Sequence, residues 1–311
     1  MTDYRITLRL KAPLGSKLQS DTLFGHFCWQ VAYGRWTGGD IDEFLEPFLK
    51  GEPPLVLSDG FPPGVLAKPL CWRFDIRDDT ISLEANDRAK KRGKARYVTE
   101  ADFHRIRRGE EPQDKPISRA FEEVETLHAS IDRLTGTTPG EGGLFQTTEL
   151  VPVLNDEPDD RMVIYARCKQ GWEDTLESLF IELSKSGYGR DKSVGLGAFK
   201  VEHFEPYAGF EMPQGANGFV SLSSYVPAPA DPSNGFYRLR TKYGKLSEIV
   251  PSGNPWKRPL LQIEPGACFY TAKEPQPYYG RLVTNIAPGD ARAVQCGFTM
   301  AVGIIMQDQS R

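Results

Sequence analysis

The sequence predicts an α+β protein with a ferredoxin-like first part and a β-rich second part. Three observations carry this. Residues 4–11 alternate, with Ile6, Leu8 and Leu10 on one face and Arg5, Thr7 and Arg9 on the other, the period of a half-buried strand. Two later stretches, 21–35 and 172–185, repeat their apolar residues at helical spacing. Between and after them lie strand-like runs at 144–153, 161–168 and 198–204. The order strand, helix, strand, strand, helix, strand is that of the ferredoxin-like fold.

In chain order, Ser20 or Asp21 caps a first helix over about 21–35, whose apolar face is Leu23, Phe24, Phe27, Cys28 and Val31. Gly38-Gly39 closes that element, a short helix follows over 40–49, and 50–70, with two Pro-Pro pairs, reads as loop. The chain turns strongly charged from about 75 to 127. The runs LFQTTELVPVL (144–154) and RMVIYARC (161–168) flank NDEPDD and read as a hairpin. In 172–185, Trp172, Leu176, Leu179, Phe180 and Leu183 share one helix face, with Glu173, Asp174 and Glu177 near its positive end. Residues 205–217 read as a linker. Beyond it, strand-like runs at about 218–225, 236–242, 259–264, 267–271, 279–286 and 293–305 predict a second, β-rich domain. The expected domains are thus 1–205, with an insertion at about 50–127, and 206–311.

Composition narrows the function. The 311 residues carry a net charge of −4, and no run of about 18 apolar residues occurs, so no transmembrane helix is expected. The start, MTDYRITLRLKAPLG, lacks a signal-peptide core, and the five scattered cysteines, without CxxC spacing, read as reduced thiols of a cytoplasmic protein. The four histidines form no HxxxH or HExxH, so neither a metal site nor a cofactor is expected.

Three segments carry chemistry. The first is GYGRDKSVGLG, Gly187 to Gly197. Its glycines Gly187, Gly189, Gly195 and Gly197 allow positive φ and close backbone approach, and Arg190, Lys192 and Ser193 at its centre can meet a phosphate or ribose. It is no Walker A loop, since Lys192 lacks the GK[ST] frame, and no dinucleotide fingerprint, since it leads into a strand. A plain helix-to-strand turn is the competing reading. The second is the basic stretch 88–108, with nine basic and two acidic side chains, a local charge of +7. It includes Lys90, Lys91, Arg92, Lys94 and Arg96, with Tyr97 and Phe103 available to stack on bases; the competing reading is a solvated charged loop. The third is HASIDRLTGTTPGEGGLF (128–145), where His128, Asp132 and Arg133 invite a catalytic reading, although Asp132 beside Arg133 fits an ion pair as well. His26, on the first helix, is a candidate acid/base or a packing residue.

Taken together, these segments resemble the RAMP superfamily of CRISPR proteins. The glycine loop matches that superfamily's hallmark and stands between second helix and fourth strand. More narrowly, the chain resembles the fourth-subunit family of the type III-A Csm effector complexes. SDTLFGHFCW (20–29), FLKGEPPLVLSDGFP (48–62), AKPL (67–70), KKRGKARYV (90–98), HASIDRLTGT (128–137), GLFQTTEL (143–150), GYGRDKSVGLGAFKV (187–201), the 221–246 stretch and QCGFTMAVGI (295–304) carry the likeness in order.

The resemblance implies tandem ferredoxin-like (RRM-like) RAMP domains, the second degenerate. It implies a non-catalytic subunit that caps the 5′ repeat-derived tag of the crRNA. Such a subunit joins the large polymerase/cyclase-like signalling subunit to the backbone RAMP subunit in a hetero-oligomeric complex. On that footing Gly187, Gly189, Gly195 and Gly197 shape the tag-binding loop, with their backbone N–H groups turned to tag phosphates. Arg190, Lys192 and Ser193 touch phosphate or sugar, and His128, Ser130 and Arg133 line the same cleft. The alternative is a RAMP endoribonuclease acting on CRISPR precursor RNA through His26 or His128. At His26 the family usually has a small residue. The insertion 75–127 is expected to be partly mobile until it meets RNA or a partner.

Overall fold

The computed structural model describes residues 1–72, 95–140, 143–154, 157–246, 254–290 and 292–307. The first strand, β1 (Thr2–Leu10), turns Tyr4, Ile6, Leu8 and Leu10 into the core, as its alternation requires. Helix α1 (Ser20–Ala32) follows, then α2 (Ile41–Leu49), which starts on a capping box: Asp40 accepts from the backbone of Asp42 and Glu43, and Glu43 accepts from that of Asp40. Next come β2 (Leu55–Leu57), β3 (Val65–Ala67), β4 (Tyr97–Thr99) and α3 (Glu100–Arg107). A long antiparallel ribbon, β5 (Phe121–Ala129) with β6 (Leu144–Leu154), precedes β7 (Glu157–Pro158), β8 (Arg161–Cys168), α4 (Glu173–Ser186) and β9 (Phe199–Pro206).

The main sheet runs β2-β8-β1-β9 with every pair antiparallel, the strand order of a ferredoxin-like unit. The expected second strand, 144–153, is not in it. That position belongs to β2, three residues bounded by Pro53-Pro54 and Pro62-Pro63, too short to show a period of its own. Its edge is prolonged by Ser58 N–H and Phe61 N–H, which donate to the carbonyls of Tyr165 and Val163. Residues 144–154 pair instead with 121–129, from Phe121↔Pro152 to Ala129↔Leu144. The insertion therefore lies after the second strand, between β2 and β8, and not after the first helix.

The insertion is also not uniformly a charged surface. Ala95, Val98, Phe103, Ile106 and even Arg107 are buried. The Arg107 guanidinium donates to the carbonyls of Gly303, Gly209 and Glu211, so this cation pins α3 to the C-terminal strand. Burial, partly offset by the Tyr207 hydroxyl, pulls its pKa down to about 10. The expectation that Phe103 is available to stack on bases is thus overturned: it was read from the charge density of its neighbours, which hid an apolar side of α3. Residues 73–94, with Lys90, Lys91, Arg92 and Lys94, lie outside the described residues.

The second half is a five-stranded sheet, β11-β14-β10-β16-β15, built from β10 (Gly218–Ser221), β11 (Gly235–Phe236), β14 (Cys268–Tyr270), β15 (Tyr278–Val283) and β16 (Gln295–Ile304). Beside it stands a two-stranded ribbon of β12 (Leu239–Lys242) and β13 (Leu260–Ile263). No helix lies among its described residues. Strand β16 is buried at all ten positions, the near-continuous apolar run of a strand covered on both faces. One face meets α1, so a single hydrophobic cluster runs from Ile6 and Phe27 to Phe298 and Ile304.

Packing of α1 on both sides explains its composition. Leu23, Phe24, Phe27 and Val31 are buried, Phe27 edge-on to Phe180 of α4 at 5.1 Å, each such side chain contributing about 1.5–3 kcal/mol. Asp21, His26 and Gln30 are buried as well, and each has a partner. Asp21 is paired with Lys242 at 2.6 Å and accepts from the Gln262 amide at 2.8 Å. Burial alone would raise its carboxyl; Lys242 and Gln262 outweigh that and hold it below the usual carboxylate range.

Candidate nucleic-acid interface

The glycine loop 187–197 is a closed ring. Gly187 ends α4 at φ 73°, its N–H on the Leu183 carbonyl. Tyr188 N–H donates to Gly197 O (3.0 Å) and closes the neck, and Gly197 N–H donates to Pro13 O (2.8 Å). At the far end Asp191 takes a left-handed φ of 60°, residues 192–194 make one 3₁₀ turn, and Gly195 reverses the chain at φ 106°. A Cβ at Gly197 would collide with the Tyr188 carbonyl, whereas one at Gly195 would meet open space. The four glycines therefore have two uses: Gly197 permits a close approach, Gly195 only a conformation.

Behind the ring runs the strap 13–19, which joins β1 to α1. Tyr188 is fully buried, and its hydroxyl donates to Lys17 O (2.8 Å) and accepts from Gln19 N–H (2.9 Å). Gly189 packs on Ser16, and Gly15 on the Arg190 carbonyl. His26 reaches up from α1: its Nε2 accepts the Gly189 N–H at 3.2 Å, and its ring lies 5.3 Å from that of Tyr188. Burial, with the Lys192 charge adding to it, pushes the imidazole down to about 4, so His26 is neutral when it accepts this bond. His26 is a positioning residue of the loop.

These bonds correct one expectation. The N–H groups of Gly187, Gly189, Gly195 and Gly197 donate to Leu183 O, His26 Nε2, Lys192 O and Pro13 O. They close the ring and are not turned to a ligand. Of the loop's polar groups expected to meet an anion, those not spent on closing the ring are in residues 190–193. There Ser193 is exposed and Lys192 half-buried, while Arg190 is committed on one side, donating to Thr148 O at 2.6 Å and lying 3.3 Å from the Asp191 carboxylate.

Arg190 also ties the loop to the β5–β6 ribbon, whose root is held by a two-way backbone exchange between Leu14 and Leu150. His128 sits farther out, stacked on Phe145 at 5.3 Å with Nε2 2.8 Å from the Thr147 hydroxyl. Ser130 and Arg133 lie beyond the end of β5 and are exposed, Ser130 Oγ donating to Gly143 O. The ribbon bears exposed apolar side chains, Leu127, Ile131, Leu144 and Phe145 among them. Arg96 pairs with Glu264 of the second half, and Arg105 and Arg108 pair with Glu110. With Arg107 bound to backbone carbonyls, each arginine of the described part of the basic stretch has a partner within the protein.

The strap was not singled out from sequence, although Pro13, Gly15 and Ser16 are turn residues directly after β1. Tyr188, the ring's anchor, gave no signal beyond its place between two glycines. Among the described residues no group of three or more His, Cys, Asp or Glu side chains could hold a metal ion, and no helix is long and apolar enough to cross a membrane. All five cysteines are free.

No protein-family model matches the chain, and no curated protein matches it significantly. Solved structures do. A chain of the crystal structure of a Csm1–Csm4 cassette in complex with pppApA superposes with a TM-score of 0.65 at 17% identity, covering 99% of this chain and 100% of that one. The same cassette with AMPPNP gives 0.63 at 18%, again over 99% and 100%. A chain of a Csm3–Csm4 subcomplex from a type III-A CRISPR-Cas interference complex gives 0.54 at 13%, over 98% and 100%. Across nearly its whole length, this chain has the fold of a subunit found in type III-A CRISPR assemblies.

Proposed function

We propose that this protein is a non-catalytic RNA-binding subunit of a type III CRISPR effector complex. In this reading it holds the 5′ repeat-derived tag of the crRNA and bridges a large signalling subunit to a backbone RAMP subunit. The observation that carries the proposal is the end-to-end fold match: both chains are covered almost completely, and Csm4 is named in each of the two kinds of assembly. Such a match favours the same part of a complex over a shared domain alone. The ferredoxin-like sheet, the closed basic loop with Lys192 and Ser193 at its tip, and the exposed ribbon support it, since single-stranded RNA is gripped by cations, hydroxyls and stacking surfaces without any acid/base pair. The β-rich second half fits a ferredoxin-derived domain stripped of its helices.

The endoribonuclease alternative has less support. His26 is buried with its Nε2 engaged by Gly189, and His128 is on the outer ribbon against Thr147. The test is binding and integrity of a repeat-derived RNA, with the protein alone or in its assembled complex, without added metal. Binding without shortening is expected. The variant Lys192→Ala should flatten the log–log salt dependence by about 0.7, the loss of one phosphate contact on a single strand. It should not change which tag is preferred, since phosphate contacts position and do not specify. RNA cleavage by wild type that is lost in His26→Ala would replace this reading with the nuclease.

A further inference from the structure

The ribbon of β12 and β13 is built inside out. A sheet with one face to solvent turns apolar side chains inward and polar ones outward. Here exposure alternates without a break from Tyr237 to Leu246, and the polar residues take the inner side. Lys242 reaches Asp21 of α1 at 2.6 Å, Gln262 donates to the same carboxylate at 2.8 Å, and Arg240 donates to Gln262 at 2.8 Å. On the facing arm Lys257 donates to Gln295 of β16 at 2.8 Å. These bonds fasten the ribbon to the body through its polar side.

The outer side is apolar. Leu239, Tyr243, Trp256 and Leu261 are each more than half exposed. The register gathers them on one surface: Thr241 stands opposite Leu261, and Lys245 opposite Trp256. Leu239 and Tyr243 flank Thr241 at two positions on either side, so all share one face. Tyr237 prolongs that face toward the five-stranded sheet, stacked on Phe269 of β14 at 5.5 Å. Single exposed leucines are ordinary; a row of large apolar side chains over a polar inner side marks a surface that is covered in use. The charges at its Lys245 end are positive. Lys245 Nζ lies 5.7 Å from the centre of the Trp256 ring and Arg258 donates to Asn285 O, neutral groups that leave both charges in place. No Asp or Glu takes an exposed position among the ribbon's described residues.

We infer that the outer face of β12–β13 docks a neighbouring protein subunit, one with an apolar surface opposite Leu239 and Leu261 and carboxylates opposite Lys245 and Arg258. The inference rests on the reading of this chain as a subunit of a larger complex and adds to it a contact surface. A protein fits this face better than RNA does. Trp and Tyr are the side chains that most often anchor protein contacts, and the leucines beside them supply aliphatic area on which a base cannot stack. A groove for a single strand needs cations that track its backbone, and here the exposed cations are confined to one end.

The test compares the full chain alone with its assembled complex by hydroxyl-radical footprinting, read by mass spectrometry at Tyr243 and Trp256. Both side chains should oxidise readily in the free chain and lose most of that reactivity in the complex, with and without bound RNA. Trp256→Ala should weaken association with the docked subunit about 10–30-fold, and Lys245→Glu should weaken it less, with a deficit that shrinks as salt is raised. Both positions are exposed, so thermal unfolding of the free variants should match wild type. Protection that requires RNA would give the face to RNA, and protection of the free chain that grows with its concentration would give it to a second copy; either result overturns the inference. If the chain enters the complex and both side chains react there as in the free chain, the docking face is wrong and the subunit reading stands. If the chain joins no complex with type III CRISPR subunits, the reading itself fails and this inference with it.

Discussion

Replacing His26 tests whether the glycine loop is held from below by α1. In His26→Ala the Gly189 N–H loses its acceptor and the 5.3 Å contact with Tyr188 becomes a void. Gly189 is half-buried, so leaving its N–H without a partner costs about 1 kcal/mol, the lower end for an unsatisfied donor. With the packing defect added, the expected total is about 2–4 kcal/mol. His26→Gln retains an acceptor at nearly the same reach and should cost below about 1.5 kcal/mol. Denaturant unfolding of the three proteins at neutral pH gives the ranking. The pH dependence gives a second, independent readout. The folded imidazole sits at about 4, below the ordinary 6.5, so the unfolded chain takes up the proton first. The stability associated with neutral His26 is whole above about 6.5 and declines as the pH falls. Near pH 4, on the order of 3 kcal/mol of it has gone. Asp59 acts oppositely in the same window: its folded carboxyl, at about 6, binds a proton before the unfolded one does, and stabilises as the pH falls. The quantity to plot is therefore wild type minus His26→Gln, in which Asp59 cancels. That difference should shrink between pH 6.5 and 4. A flat difference, together with His26→Gln as damaging as His26→Ala, would refute the loop-positioning role.

Three further variants probe the loop and the Asp21–Lys242 pair. Gly197→Ala should destabilise the loop and weaken RNA binding, because its Cβ collides with the Tyr188 carbonyl at φ 64°, whereas Gly195→Ala meets open space and should cost only the strain of a positive φ, about 1–3 kcal/mol; thermal unfolding and RNA affinity of the pair check the order, and equal effects would show that contact is not what fixes Gly197. Lys242→Met should lower stability by about 3–5 kcal/mol by leaving the fully buried Asp21 carboxylate without its cation, and an urea midpoint like that of wild type would mean that the Asp21–Lys242 pair does not join the two halves as its 2.6 Å contact implies.

The sequence by itself determined the elements whose periodicity is long enough to read. Strand β1, helices α1, α2 and α4, strands β8 and β9, and every strand of the second half lie within a few residues of where alternation, helical spacing or turn chemistry placed them. Its local punctuation also marked the glycine loop, because four glycines in eleven residues have few structural uses. Tertiary structure decided what pairing alone can decide. The choice between 55–57 and 144–154 as second strand of the main sheet depends on which edge of β8 is free, and no period in three residues can announce it. The burial of Phe103 and Arg107 depends on the C-terminal strand lying against α3, a contact some 200 residues distant in the chain. The direction of the glycine amides was decided in the same way. Their acceptors, Leu183, Lys192, Pro13 and His26, come from the loop itself, the helix before it, the strap and α1, and only folding brings the last two to it.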